Sequence, residues 1–431
     1  MRKGLAVLVL VGLIVTCLEI TPSCAGEVDV LLQKLVDKGI LNASEAQQIK
    51  TETNEEIAKT EKQKLEDYKA LPKDALPDWV KNTKLKGDFR LRYQLDKDKG
   101  QENWNRVRIR ARLGIESKVN DKLITGVGIA TGKAGDPRST NITLGNDPAA
   151  ANTPGSYKSV ILNYAYGQYM PFDWFTFIGG KFNNNIWQPT DLLWDTDLNP
   201  EGVGLSLSYK ANPALEFFIN NQFFWLRNDT RSDKQPTMFA EQPGFNWTIN
   251  NKVSLKSALA IYEFIAVRNT AKFATYDSTN TLINNNYKYN YNSINPSLEL
   301  GFKDPFSGLV PYASIFADYV YNYSSKVDSS KDGFDAGFKF GYKDIKDWGQ
   351  WQAKAICAKL GRDAWLDIFP DSDRYNGKTN MKSIKVEFNY GLGKNTFLGL
   401  DYYYARSLNK ASEATGYAPQ QVLQVDWNMK F

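Results

Sequence analysis

From Thr83 to Phe431 apolar residues return at every second position in runs of about ten residues. Period two sends successive side chains to opposite faces of an extended chain, so each run reads as a strand with one apolar and one polar face. Asn103–Ser117 is the sharpest case. Val107, Ile109, Ala111, Leu113 and Ile115 share one parity, and Arg106, Arg108, Arg110 and Arg112 share the other. As a helix the same arginines would fan around the axis with no clean apolar stripe. The run before it repeats the pattern: Leu85, Phe89, Leu91 and Tyr93 alternate with Asp88, Arg90, Arg92 and Gln94. Two neighbouring strands therefore share a greasy face and a strongly basic one. In a soluble sandwich the apolar face would be core. In a membrane barrel it would face lipid, and the arginines would line a watery lumen.

The links between runs choose the barrel. Sixteen strands are expected, centred on 83–94, 105–118, 121–132, 157–170, 173–182, 202–210, 213–226, 237–249, 252–263, 294–303, 309–322, 333–343, 348–360, 380–392, 395–406 and 421–431. Pro243 interrupts 237–249, because proline cannot donate to a ladder. Tight turns at Asn120-Asp121, Pro171-Phe172, Asn212-Pro213, Asn250-Asn251, Asp304-Pro305, Asp344 to Asp347 and Gly393-Lys394 alternate with long polar links at 95–104, 133–156, 183–201, 227–236, 264–293, 323–332, 361–379 and 407–420. In a closed up-and-down barrel all the turns fall at one rim and all the loops at the other. A sandwich has no reason to alternate so regularly. The expected fold is thus all-β, a transmembrane antiparallel up-and-down barrel of about sixteen strands over 83–431. The mean hydropathy of −0.45 fits, since only alternate residues are apolar.

The first 82 residues read differently. Arg2 and Lys3 precede an apolar run from Leu5 to Leu18, and Ser23-Cys24-Ala25 supplies small residues before Gly26, so 1–25 reads as a secretory signal peptide. Its removal leaves Cys357 as the one cysteine, and no intramolecular disulfide. Residues 26–82 read as an α-helical arm and linker: Val30, Leu31, Leu35 and Val36 have helical spacing, and Ser44-Glu45-Ala46 opens a second helix. Leu71-Pro72 and Leu76-Pro77 end it. The arm is expected in the periplasm, as a solvated extension or an oligomerisation or cell-wall tether.

The last strand ends Val425-Asp426-Trp427-Asn428-Met429-Lys430-Phe431, apolar at alternate positions up to the terminal Phe431. Gly179-Gly180-Lys181-Phe182 is followed by Trp194-Asp195-Thr196-Asp197-Leu198-Asn199-Pro200-Glu201-Gly202. Together these features resemble the bacterial outer-membrane porin superfamily, and most closely its putative-porin families with a periplasmic helical N-terminal segment. The resemblance covers about 83–431. It implies a passive diffusion channel, commonly a homotrimer, in the cell outer membrane among its lipid. It also implies that the third external loop folds inward, and that Trp427 and Phe431 act as the end signal read by the barrel-assembly machinery.

The chain has no histidine, which removes the usual catalytic base, Ser-His triads and imidazole metal sites. No enzyme activity, cofactor or metal is expected. A formal charge of +5 without a compact basic run argues against nucleic acid. Asp195-Thr-Asp197-Leu-Asn199 and Asp371-Ser-Asp373 miss calcium-loop spacing, Pro200 standing where the turn glycine belongs, and both read as solvated acidic turns. Gly126-Val-Gly128 with Gly132 mimics a dinucleotide fingerprint inside a strand and reads as a wall face kept small. Trp104, Tyr169, Trp174, Trp225 and Trp427 sit near strand ends, where interfacial girdles form.

The functional expectation is electrostatic. Arg90, Arg92, Arg106, Arg108, Arg110 and Arg112 on one face of two strands cannot be buried dry without partners. The loop 183–202 supplies Asp191, Asp195, Asp197 and Glu201. An acidic constriction loop opposite a basic ladder would set a field across the pore and favour small hydrophilic or anionic solutes. The arginines could equally tie the loop to the wall. Two other readings stand beside the pore: a structural barrel tethering the envelope through its arm, and a sleeve around a partner protein.

Overall fold

The computed structural model describes residues 32, 34–42, 44–53, 56, 59, 78–145, 154–228, 235–273, 279–324, 327, 330–409 and 418–431. They belong to two units, one reaching to Pro77 and the other Asp78–Phe431. The expected signal peptide and much of the expected arm lie outside the described residues. In the first unit residues 44–53 are helical. Asn42 starts that helix by reciprocal capping: its Oδ1 accepts from the Glu45 amide at 2.8 Å, and Glu45 Oε2 accepts from the Asn42 amide at 2.9 Å.

In the second unit sixteen long strands close into an antiparallel barrel. They are β1 Thr83–Asp98, β2 Trp104–Asn120, β3 Leu123–Thr131, β4 Val160–Phe172, β5 Phe175–Lys181, β6 Glu201–Asn212, β7 Leu215–Trp225, β8 Thr237–Thr248, β9 Val253–Ile265, β10 Ser293–Lys303, β11 Tyr312–Asn322, β12 Asp332–Gly341, β13 Trp351–Leu360, β14 Met381–Gly393, β15 Thr396–Ser407 and β16 Gln420–Lys430. All sixteen expected strands form. Each pairs with its neighbours in sequence, and β1 closes the circle on β16, Asp88 opposite Lys430 through Asp98 opposite Gln420. The closing seam ends with Gly87 and Phe431, whose amides donate to each other's carbonyls at 2.9 and 3.0 Å. Closure leaves no unpaired edge, which a strand in hydrocarbon requires. Among the described residues no helix is long and apolar enough to cross a membrane.

Parity sorts the wall. Leu85, Val107, Leu113, Ile115 and Val127 are exposed on the outer face, while Arg92, on the opposite parity, is 2 % exposed. Trp104 and Trp225 stand exposed at the loop rim, and Tyr169, Trp174 and Trp427 toward the turn rim. The turns fold locally: Asn120, Asn212 and Asn250 each accept, through Oδ1, from the amide two residues on. Pro243 stays inside β8. It pairs with Ile219 on one side, while on the other the ladder is broken between Ala258–Gly244 and Ile261–Glu241 without a change of register. A proline thus costs one side's ladder only. Tyr164 explains Gly114 of β2 and Gly128 of β3, since its ring lies where a Cβ at either would stand, and Tyr166 does the same at Gly126.

The loop-rim half of the lumen is filled. Residues 182–200, 266–273, 279–292 and 361–380 fold inward and share one aromatic core. Trp194 packs on Phe369 at 4.4 Å and edge-on to Trp365 at 5.6 Å, and Trp365 meets Tyr262 of β9 at 4.7 Å. Leu192, Leu193, Trp194, Trp365 and Leu366 are essentially inaccessible to solvent. The two acidic turns expected in solvent are therefore interior: Asp195 and Asp371 are buried because the loops carrying them turn into the barrel.

Candidate functional site

The basic ladder is set by register. β2 runs antiparallel to β1 so that Arg112 faces Asp88, Arg110 faces Arg90, Arg108 faces Arg92 and Arg106 faces Gln94. Like charges directly opposite repel, and carboxylates interleave to offset this. Asp88 accepts from Arg110 Nε at 2.9 Å and from Arg112 Nε at 2.7 Å. Asp426 of β16 takes Arg92 bidentately at 2.7 and 2.8 Å, and Asp373 takes its remaining nitrogen at 2.7 Å. Asp96 pairs with Arg106 at 2.5 Å. Arg108 reaches Gln94 at 2.9 Å and Ser139 at 3.3 Å, with Asp373 4.0 Å away. Arg90 donates to Asn141 at 2.6 Å and lies 3.6 Å from Asp426. Six guanidiniums thus meet five carboxylates, Asp88, Asp96, Asp197, Asp373 and Asp426.

The loop 182–200 crosses the lumen and is pinned at both ends. Gln242 of β8 is fully buried; it accepts from the Trp187 amide at 2.7 Å and donates to the Trp187 carbonyl at 2.6 Å. At the far end Asn199 donates to the Asn163 carbonyl at 3.0 Å. The four predicted acids of this stretch separate. Asp197 meets the ladder, 3.2 Å from Arg112 and 3.7 Å from Arg110, and accepts from Thr140. Asp191 turns to the other wall, pairing with Arg374 and with Lys385 of β14 at 2.7 Å. Asp195 has only amide donors, Asp197 at 2.9 Å and Ser372 at 2.8 Å. Glu201 is the first residue of β6 and shares the outward parity of Val203; it pairs with Lys181 at 3.0 Å, outside the lumen.

Burial works against ionising Asp191, Asp195, Asp197, Asp371 and Asp373, and the partners decide the balance. For Asp373 the cations Arg92 and Arg108 overcome burial and hold the carboxyl well below the usual range. Arg374 and Lys385 do the same for Asp191, and Arg110 and Arg112 for Asp197. Asp195 has no such cation; burial, Asp371 and Asp197 push it up. Burial and Asp191 push Asp371 up to about 7.

Sequence reasoning set Asp88 on the arginine face and Asp197 opposite it, but missed the other carboxylates that hold the ladder. Asp96 and Asp426 share the inward parity of the arginines and could have been found by it. Asp373, Arg374 and Gln242 carried no such signal, since loop packing brings them in. Among the described residues no group of three or more carboxylate or thiol side chains could hold a metal ion.

Open space follows the ladder. A cavity of about 1020 Å³ on the turn side is lined by Asp88 and Arg112. One of about 370 Å³ is lined by Arg90 and Arg92. One of about 220 Å³ near the loop rim is lined by Arg106 and Arg108.

No curated protein sequence matches this chain. Among solved structures it is similar to Pseudomonas putida OprB in its high-pH form, with TM-score 0.52 and 12% identity over 82% of this chain and 95% of that one. It is also similar to a triple mutant of the Rhodopseudomonas blastica porin, with TM-score 0.44 and 10% identity over 81% of this chain and 100% of that one. At such identity the OprB likeness speaks for the barrel fold alone. The family described as "Putative porin" matches residues 43–103, 96–298 and 283–431, so the chain belongs to that porin family.

Proposed function

We propose that the barrel is a passive diffusion channel of the outer membrane for small hydrophilic solutes, with a mild preference for anions along the arginine ladder. The carrying observation is that the three cavities succeed one another beside Arg112, Arg90–Arg92 and Arg106–Arg108, while the aromatic core fills the other side. Arg106 to Arg112 spans roughly 20 Å of wall at the strand rise. The ladder carries one more cation than its carboxylates offset. The facing wall and its loops carry Asp191, Asp371, Glu387 and Asp401 against Lys354, Lys385 and Arg374. The field therefore runs across the pore, and an anion follows the arginines.

β1 starts and β16 ends at the turn rim, and in the porin pattern that rim faces the periplasm and the loops face outward. Assembly follows the porin pattern: insertion by the barrel-assembly machinery through Phe431, in outer-membrane lipid, as a homotrimer.

Reversal potential across a salt gradient in a planar bilayer tests the reading. Arg90→Gln and Arg108→Gln remove charge without stranding a bidentate carboxylate. Both should move the potential toward cations, most visibly at low ionic strength. Reversal of Arg108, Arg110 and Arg112 to Glu is a harsher test, because it sets new carboxylates against Asp88 and Asp197. An unmoved potential in conducting variants removes the arginines from the path. A wild-type barrel that never conducts is a structural barrel, the reading the aromatic filling would then favour.

A further inference from the structure

Between the ladder and the facing wall lies the cavity of about 370 Å³, toward the lower end of the range for small-ligand pockets. Most charges around it are committed. Arg92 is taken by Asp373 and Asp426, and Lys385 by Asp191 and Glu387. Three are committed less fully. Arg90 donates to Asn141 at 2.6 Å, shares Asp426 at 3.6 Å with an arginine that already holds it bidentately, and has no partner at Nε. Asp371, nine-tenths buried, offers one oxygen to the Asp373 amide at 3.0 Å, and its other oxygen has no partner. Asp401 of β15 lines the same cavity and makes no hydrogen bond or ion pair among the described residues. A half-enclosed charge without a partner is costly. A simple anion would serve Arg90 but meet Asp371 and Asp401; a simple cation would do the reverse.

We infer that this cavity binds a small zwitterion of the α-amino-acid class, its carboxylate on Arg90 and its ammonium between Asp371 and Asp401. The inference rests on the channel reading and names a solute class that the constriction selects.

Calorimetric titration of the full chain in detergent, at pH 8 where Asp371 is ionised, uses three probes of similar size: L-alanine, lactate, which lacks the ammonium, and lactamide, which carries no charge. Alanine should bind saturably, lactate at least about tenfold more weakly, the loss of one charge-assisted hydrogen bond, and lactamide not at all. Arg90→Gln, Asp371→Asn and Asp401→Asn should each weaken alanine by a similar factor while keeping heat-modifiable mobility. The comparison of three probes on the unmodified chain needs no variant to fold. Equal heats for alanine and lactamide overturn the inference. Planar-bilayer conductance separates the two readings: chloride current without alanine binding sinks the zwitterion site and leaves the channel. No current with saturable alanine binding sinks the channel and leaves a closed zwitterion site.

Discussion

Gln242 does with one carboxamide what a β-bridge would do with a strand: it takes both backbone groups of Trp187 and holds the crossing loop against β8. Gln242→Leu leaves that N–H and C=O without partners, a cost of roughly 1–3 kcal/mol per group. The expected outcome is a barrel that still forms but has a larger single-channel conductance and a weaker ion preference; unchanged conductance would mean the loop is held by its aromatic packing alone. Asp371 gives a pH dependence. Its carboxyl, raised to about 7 by burial and Asp191, faces Asp191, Asp373, Arg374, Lys385 and Tyr403. Below that pH it is protonated, so the constriction loses a negative charge while Arg374 and Lys385 keep theirs. Reversal potential should therefore move toward anions between pH 8 and 6, and Asp371→Asn should reduce the swing. The arginine ladder was legible because strand parity fixes a face from sequence alone. The acids that neutralise it were half legible: those on β1 and β16 follow parity, whereas Asp373 sits on a loop whose direction no local pattern encodes.

Two elements carry the shape of the pore. The first is the seam between β1 and β16. The Phe431 ring lies beside Gly87, where any Cβ would overlap it. Deleting Phe431, or replacing it with Asp, removes the last ladder pair and the apolar end of the strand. Both changes should sharply lower outer-membrane yield and heat-modifiable mobility, and Gly87→Val should weaken the same seam without touching β16. Normal yield in all three would show that the seam tolerates an open last rung. The second element is the contact between residues 279–292 and the loop 361–380. Asn280 donates to the Arg362 and Trp365 carbonyls at 2.7 and 2.9 Å and accepts from the Asp367 amide at 2.9 Å. Asp367 returns the contact by accepting from the Thr279 and Asn280 amides at 2.6 and 3.0 Å. Asn280→Ala strands two buried backbone groups, the Trp365 carbonyl and the Asp367 amide, while the Arg362 carbonyl keeps the Thr379 hydroxyl at 2.8 Å. Amide exchange across 361–380 should quicken and conductance should rise; protection equal to wild type would place the strength of this contact in the aromatic core.

At the scale of the whole molecule, the barrel unit Asp78–Phe431 contains every strand found among the described residues, the closing seam and the aromatic core. Truncation of residues 26–70 should therefore spare barrel insertion and single-channel conductance. Altered oligomer size or weaker cell-wall association would assign the arm its role, whereas failure of the truncated chain to fold would place part of the barrel's stability in the arm. Sixteen strands enclose room for an open aqueous channel, and here three loops bring an aromatic core into it, with Asp197 and Asp373 reaching across to the arginines.

The alternation of apolar and polar residues, with short turns and long links in turn, determined the sixteen strands, their order, which face meets lipid and which arginines share the lumen. These follow from a period of two and from antiparallel neighbours joined by tight turns, both local properties of the chain. Tertiary structure alone decided that Asp195 and Asp371 are buried, that Asp191 and Asp197 turn to opposite walls, that Glu201 points outward at the rim, and that Trp194, Trp365 and Phe369 fill half the bore. A loop has no periodicity to fix its direction. Where it goes depends on whether the curved wall offers partners such as Gln242, Lys385 and Asn163, and that wall exists only once β1 has closed on β16.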